Sequence, residues 1–308
     1  MAPRLAALSV DLDEIRCYTA IHGLSAPGED VENAVYRRAV PRFEALFAEL
    51  SVPATFFAIG ADLEDPQAAE ALRRLSHGGH EVGNHTHDHL YDLTRRDAPT
   101  MGAQIDGGAD AIAAVTDEAP VGFRAPGYTV SAGVLQHLKA RDYLYDSSVF
   151  PCPAYYGAKS AALGVIALRG RRSHSILDTP QVLRCPADPY RVGEPYWTRG
   201  DGILELPIGV TRDMTARLPY IGTSLSVFGA GALTRAIVGR PLVNLELHGI
   251  DLADAAEDGL GFLAPYQHDL RIPLQRRRRA LCDAIGQLRD AGYRFVTLAD
   301  AARAFGSS

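Results

Sequence analysis

The stretch Asn84-His85-Thr86-His87-Asp88-His89 sets three imidazoles and a carboxylate side by side, in a chain of 308 residues with ten histidines in all. His85 and His89 are four apart, so a helical turn would project both rings from one face toward a single metal ion. His87 points elsewhere in any regular conformation and reads as structural, with Asp88 beside it. Alone the pair is a weak signal, since hydrogen-bonded or solvent-facing histidines give the same spacing. A hydrolytic metal site needs about three protein ligands and an open position. Ser9-Val-Asp11-Leu-Asp13 offers the missing carboxylate. Asp-x-Asp on an extended strand turns both side chains to one face. One of Asp11 and Asp13 can then bind metal while the other serves as general base toward a water that the metal acidifies. A turn or helix cap after a strand is the plainer reading of the same two aspartates. His248 ends an otherwise apolar run, where a histidine is either a satisfied core residue or a general acid for a leaving amine. Asp251, close in sequence, is a candidate for holding its tautomer.

These residues need elements to carry them. Leu5 to Val10 reads as a strand buried on both faces. Val31 to Leu50 has helical spacing, and Ala54 to Ile59 is a second strand ended by Gly60. Ala68 to Leu75 is helical and closes at His77-Gly-Gly79; Glu81-Val-Gly83 is a brief third strand. Residues 100–116 form an alanine-rich helix, and Val121–Arg124 and Tyr143–Tyr145 are short strands around the helical pattern Val134, Leu135, Leu138. Pro151 to about Gly200, rich in Pro, Gly and Arg, reads as a long irregular insertion with local strands near Gly164–Leu168. Gly202–Pro207, Pro241–Leu247 and Arg294–Leu298 are the remaining strands. Strands alternating with helices, without internal repeats or an obvious linker, predict one α/β domain on a parallel sheet. Asp11, Asp13, His85, His89, Arg124, Asp146 and His248 all fall at carboxyl ends of strands, where such folds gather reactive groups.

With 47% hydrophobic and 22% charged residues the chain can bury a sizeable core. Its 31 basic and 37 acidic residues leave a net charge of -6, so no global basic field recruits nucleic acid. The run Arg276 to Arg279 lies on a helical pattern (Leu274, Leu281, Ile285, Leu288) and reads as a solvated face. Cys17, Cys152, Cys185 and Cys282 form no CxxC pair, which predicts free thiols rather than a disulfide framework or a zinc ribbon. The apolar part of Met1 to Val10 is too short for a signal peptide, and no run is long enough to span a bilayer. A cytoplasmic protein is the expectation.

Five motifs in order resemble those of the polysaccharide deacetylase (NodB homology) superfamily, related to carbohydrate esterase family 4. They are Ser9-Val-Asp11-Leu-Asp13, His85-Thr-His-Asp-His89, Phe123-Arg124-Ala-Pro126-Gly-Tyr128, Tyr145-Asp146-Ser-Ser148 and Leu245-Glu-Leu247-His248. The resemblance spans roughly residues 5–300 and implies a distorted (β/α)7 TIM-like barrel as a single catalytic domain over 1–308. It implies Asp11 as general base, Asp13, His85 and His89 as ligands of a divalent metal, and His248 as general acid. It further implies that Arg124 orients the base, that Asp146 contacts or tunes the acid or the arginine, and that a backbone N–H near Tyr128 holds the oxyanion. Zn²⁺ is the expected ion, although Co²⁺, Ni²⁺, Mn²⁺ and Fe²⁺ also accept an Asp-His-His set. The implied reaction is removal of an acetyl or formyl group from an amino sugar or saccharide derivative.

The chain departs from the polymer-cleaving pattern. Its first motif is Asp-x-Asp where chitin and peptidoglycan deacetylases have adjacent aspartates, which resembles the imidase-like, allantoinase-like and lipid-linked aminoarabinose deformylase members. Gly127 precedes Tyr128, and the fourth motif lacks tryptophan, Phe150 standing near the vacant volume. A small-molecule or lipid-linked N-acyl sugar is therefore the expected substrate, with a cyclic imide or ureide amidohydrolase and a non-catalytic sugar-binding relative as the competing readings. The insertion, with Tyr155, Tyr156 and Trp197, is the expected substrate wall. The apolar segment 219–233 is read as a lid, a buried connection or a surface that meets the membrane.

Overall fold

The structure, a computed structural model, describes residues 4–28, 31–213 and 217–306. Met1 to Pro3, part of the short apolar start, lie outside them. Nine strands make one sheet: β1 (Leu5–Asp11), β2 (Thr55–Ala58), β3 (Glu81–Asn84), β4 (Gly122–Phe123), β5 (Tyr145–Asp146), β6 (Tyr190–Val192), β7 (Arg199–Glu205), β8 (Leu242–His248) and β9 (Arg294–Phe295). Their order is β6-β7-β5-β4-β3-β2-β1-β8, with β9 also pairing to β1. Every pairing is parallel except β6 with β7. All seven residues of β1 are buried, which accounts for its unbroken apolar run up to Ser9.

The seven parallel strands in the path from β7 to β8 curl until those two face each other. The seam is bridged just past β7, where the Gly209 N–H donates to the Asn244 C=O at 2.9 Å. The Asn244 Nδ2 reaches the carbonyls of Leu206 at 3.4 Å and Pro207 at 3.3 Å. A Cβ on Gly209 would stand 2.5 Å from the Asn244 carbonyl oxygen, so only glycine admits this approach. The result is the distorted (β/α)7 barrel that the motifs imply.

Helices 66–77, 98–116 and 132–140 stand where their periodicity puts them. Residues 40–50 are α-helical as expected, but Val35–Ala39 before them is a π-turn. Pro41 supplies no N–H to the preceding turn, so the ladder there is redrawn. The insertion differs from its reading. Residues 153–168 form a helix of 16 residues, not strands near 164–168, and none of its residues is fully buried. Its tip is apolar and open to solvent, with Leu168 89% exposed. Segment 219–233 forms helices Gly222–Phe228 and Ala230–Ile237. Tyr220, Leu225 and Leu233 are buried in the main core while Phe228 stays 55% exposed.

The arginine run also holds a surprise. Arg276 and Arg279 face outward on helix 274–290, but Arg277 is buried. Its guanidinium donates to the carbonyls of Ile250, Asp251, Ala253 and Ile272, tying down the turn after His248. The four cysteines are free. No helix among the described residues is long and apolar enough to cross a membrane.

Candidate active site

The loop after β3 brings the two outer histidines together, but not by a helical turn. Thr86 has φ 68° and His89 φ 55°, both left-handed, and such residues cannot belong to a right-handed helix. Local hydrogen bonds hold the conformation: Asn84 Oδ1 accepts the Thr86 N–H at 2.9 Å, and Thr86 Oγ accepts the His89 N–H at 3.1 Å. Asn84 is itself anchored through Nδ2 to the Ile105 carbonyl at 2.8 Å. A β-branched residue kept at positive φ is strain that the surroundings over-determine, a common condition at functional sites.

Asp13 lies two residues past the end of β1 and meets both rings. Its Oδ1 is 3.3 Å from His85 Nε2 and 3.2 Å from His89 Nε2, and all three groups are buried. His85 Nδ1 lies 2.6 Å from the Arg124 carbonyl. That bond requires the proton on Nδ1 and turns Nε2 to Asp13; burial lowers the His85 pKa, but the Asp11 and Asp13 carboxylates raise it on balance, so the ring ligates by giving up an Nε2 proton. Yet Asp13 Oδ1 and both ring nitrogens of His89 are buried without a hydrogen-bond partner among the described residues. Buried polar atoms are rarely left so. Ligand atoms about 2.0–2.1 Å from a tetrahedral ion stand roughly 3.3 Å apart, so this donor set fits a divalent cation. Burial pushes the Asp13 carboxyl up, but His89 and His85 hold it well below the usual range. Burial also lowers His89, favouring the neutral imidazole that ligates. His87 turns away to Asp88, with Nδ1 3.0 Å from Oδ1.

The second half of the site comes from the β1–β8 pairing. Ser9 lies opposite Glu246 and Asp11 opposite His248. Alternation sends these four inward, while Leu8, Val10, Leu245 and Leu247 pack into the outer core. Arg124, fully buried at the end of β4, donates from Nη1 to Asp11 Oδ1 at 2.7 Å. Its remaining donors go to the Ser147 carbonyl (2.9 Å), Ser147 Oγ (2.9 Å) and Ser9 Oγ (3.0 Å). Asp11 Oδ2 is 4.0 Å from His85 Nε2, so the carboxylate borders the metal-type cluster while held by the arginine.

His248 Nδ1 lies 2.8 Å from Glu246 Oε1, and Tyr128 Oη donates to that oxygen at 3.0 Å. Tyr128 Oη is also 3.1 Å from His248 Nε2. The His248 side chain is 28% exposed against 1% for Glu246, so it forms the solvent-facing edge of this group. Burial would lower the His248 pKa, but the Glu246 carboxylate prevails and holds it well above its ordinary value. Glu246 is the residue the sequence reading missed. Its signal was present: two residues before His248 on a strand, it must share that histidine's face.

Three expectations need correction. Asp251 does not touch the His248 ring; its Oδ2 accepts the His248 backbone N–H at 2.8 Å. The Tyr128 backbone N–H is engaged by the Ala125 carbonyl at 3.1 Å, and the residue presents its hydroxyl to the site instead. Asp146 contacts neither the acid nor the guanidinium. It accepts from Ser148 Oγ at 2.6 Å and lies against Glu205, and Arg124 reaches it only through its field. Burial pushes both carboxyls of that pair up, Glu205 the more strongly. Of the aromatic wall, Tyr155 packs on Phe150 (4.7 Å between centroids) and Tyr128 (5.9 Å), whereas Trp197 meets Tyr196 edge-on in a separate apolar cluster.

A curled parallel sheet thus carries an Asp-His-His cluster that could hold a metal ion and a carboxylate–imidazole pair at its carboxyl rim. Residues 31–145 match the family model described as polysaccharide deacetylase. Over these residues the chain is similar to that family. A curated peptidoglycan deacetylase of Helicobacter pylori is 26% identical over 147 residues, 47% of this chain and 49% of the relative. The match thus spans about half the length of that relative. The fold is shared with a structure described as a polysaccharide deacetylase from Mycobacterium smegmatis (TM-score 0.54, 17% identity, 96% of this chain and 93% of that one). It is also shared with a carbohydrate esterase family 4 pseudoenzyme of Bacillus anthracis (TM-score 0.50, 12% identity, 97% and 66%). Asp11, Asp13 and His248 lie outside the matched 31–145, and it is the sheet that returns them to His85 and His89.

Proposed function

We propose that the protein is a metal-dependent hydrolase that removes an acetyl or formyl group from the nitrogen of a cytoplasmic amino sugar derivative. The reading is carried by one observation: Asp13 Oδ1 and His89 Nε2 face each other, buried and unpartnered, beside an aspartate clamped by a buried arginine. Asp13, His85 and His89 hold the divalent ion, Zn²⁺ being the expected one. When bound, it supplies Lewis-acid polarisation of an acyl carbonyl and a lowered pKa for water.

The chain's own residues do the rest. Asp11, acceptor-only while bound to Arg124, takes a proton on Oδ2, the oxygen that faces the cluster. His248, protonated because Glu246 stabilises its charge, delivers a proton from Nε2 to the leaving nitrogen. Tyr128 Oη, already 3.1 Å from that nitrogen, keeps the ring aimed. Phe150 and Tyr155 wall the site against water. A non-catalytic relative is the second reading, favoured by the likeness to a pseudoenzyme structure and opposed by the full set of base, ligands and acid.

The test is amine release from N-acetyl and N-formyl amino sugars, offered free, nucleotide-linked and lipid-linked, together with metal analysis of the pure protein. Release by a protein holding about one divalent ion per chain is expected. Absence of both release and a stoichiometric ion would hand the case to the non-catalytic reading.

A further inference from the structure

Beside the metal-type cluster lies a cavity of about 760 Å³ whose wall includes His89 and Tyr91. The Tyr91 ring stands edge-on to His89 with centroids 4.6 Å apart, so cavity and cluster share a partition of two side chains. Four arginines line it, Arg16, Arg95, Arg96 and Arg172, against two aspartates, Asp88 and Asp92. Arg16 is paired with buried Asp62 and Arg96 with Asp92 at 2.9 Å. Asp88 accepts from Gln104 Nε2 at 2.6 Å and lies against His87. Arg95 and Arg172 make no ion pair among the described residues. By formal charge, Asp62, Asp88 and Asp92 leave one positive charge over from the four guanidinium groups, and the two arginines without an ion pair come from separate parts of the chain. The lining also includes the uncharged Cys17, Ala20 and Ile176.

The placement of Arg172 is built. Helix Ile15–His22 ends at Gly23, whose φ is 60°. A Cβ there would lie 2.8 Å from the Arg172 carbonyl oxygen, so glycine is what lets the 171–176 segment close against the helix. The His174 N–H then donates to the Ala20 carbonyl at 3.2 Å, fixing the segment over the cavity. His174 adds a further donor to the same wall.

We infer that this cavity is a phosphate-binding subsite, and that it takes the phosphoryl group of a phosphorylated N-acyl amino sugar whose amide lies on the cluster side of His89 and Tyr91. Forked guanidinium groups suit a tetrahedral dianion, whose oxygens can accept from more than one donor. An uncharged polysaccharide chain gives Arg95 and Arg172 nothing to neutralise. The assignment of the amide rests on the deacylase reading; the phosphate site does not.

The decisive measurement is calorimetric titration of the metal-loaded protein with inorganic phosphate, alongside the double variant Arg95→Gln/Arg172→Gln. Loss of two charge-assisted donors predicts affinity weaker by about tenfold or more. Equal affinity, or no binding to either protein, overturns the site. In a second arm, kcat/KM is compared for N-acetylglucosamine 1-phosphate and N-acetylglucosamine. A preference for the phosphate is expected, expressed in KM and erased by the double variant, with the rate on the neutral sugar unchanged. A preference that survives the double variant overturns the proposal. If neither sugar is hydrolysed but phosphate affinity still falls in the variant, the deacylase reading fails and the phosphate site stands. Sedimentation with phosphatidylglycerol vesicles separates the remaining source of phosphate. Vesicle binding lost in the variant at unchanged phosphate affinity would make the arginines a membrane contact and overturn the subsite.

Discussion

The two halves of the candidate site are held by different means. On the β1–β4–β8 side four of the Arg124 donors find oxygens, on Asp11, Ser9 and Ser147, and Ser9 Oγ passes on to Asn244 Oδ1 at 2.9 Å. On the β3 side the loop is left-handed at Thr86 and His89, and buried atoms of Asp13 and His89 lack partners. A satisfied polar network sets its own geometry, whereas a partly satisfied one is costly until something completes it. On the proposed function, the acid–base half is thus preorganised by the protein, and the ligand half would be completed by an ion.

The sharpest way to separate the halves is to remove a ligand. His85→Ala should lose both the ion and amine release, the latter on the order of 10³-fold or more, because several kcal/mol of charge stabilisation leave with the metal. Metal analysis and turnover read this together; an ion retained at full stoichiometry would move the ligand role elsewhere. Asp11→Asn should do the opposite on the first count, keeping the ion while turnover falls about 10²–10⁴-fold. Full activity in that variant would remove Asp11 as base. Stability divides the halves as well. Arg124→Met leaves Asp11 charged and buried without its partner, and should cost about 3–5 kcal/mol in denaturant unfolding. Chelation should cost the ligand half about 3 kcal/mol if the ion was present at 100 times its Kd. A protein whose unfolding midpoint ignores chelation would not have an ion-completed half.

The smallest effect tests Glu246. Because its carboxylate raises the His248 pKa, the acid form persists to higher pH, and activity falls only as pH climbs through that raised value. Glu246→Gln should move the descending limb of the pH–rate profile to lower pH by about one unit or more. A limb that does not move would leave Glu246 a purely structural neighbour.

The motif residues were legible because strands repeat every two residues and the barrel collects their carboxyl ends. That logic placed Asp11, Asp13, His85, His89, Arg124 and His248 in one site. It named the right ring pair for the wrong reason, since spacing of four suggests a helix and the backbone uses positive φ instead. Glu246 escaped because it reads as one charge in an apolar strand, and only the register with Ser9 shows what it faces. Helix 153–168 was illegible for a different reason: with apolar and small residues all round it carries no periodic signal, and Pro and Gly mask it further. Arg277 looked like its three neighbours because the sequence does not show which arginine meets free carbonyls.

The position of β1 bears on how the chain reaches this state. It is a seven-residue strand with three partners, β2, β8 and β9, which begin at residues 55, 242 and 294. Made before these three partners, it waits for the segment that holds β9 before its hydrogen bonds are complete. Such long-range pairing delays folding relative to local contacts and leaves an apolar edge open meanwhile. The aspartates of the site, carried by the first strand, meet the acid only when one of the last strands docks, so assembly of the barrel and assembly of the site are one event.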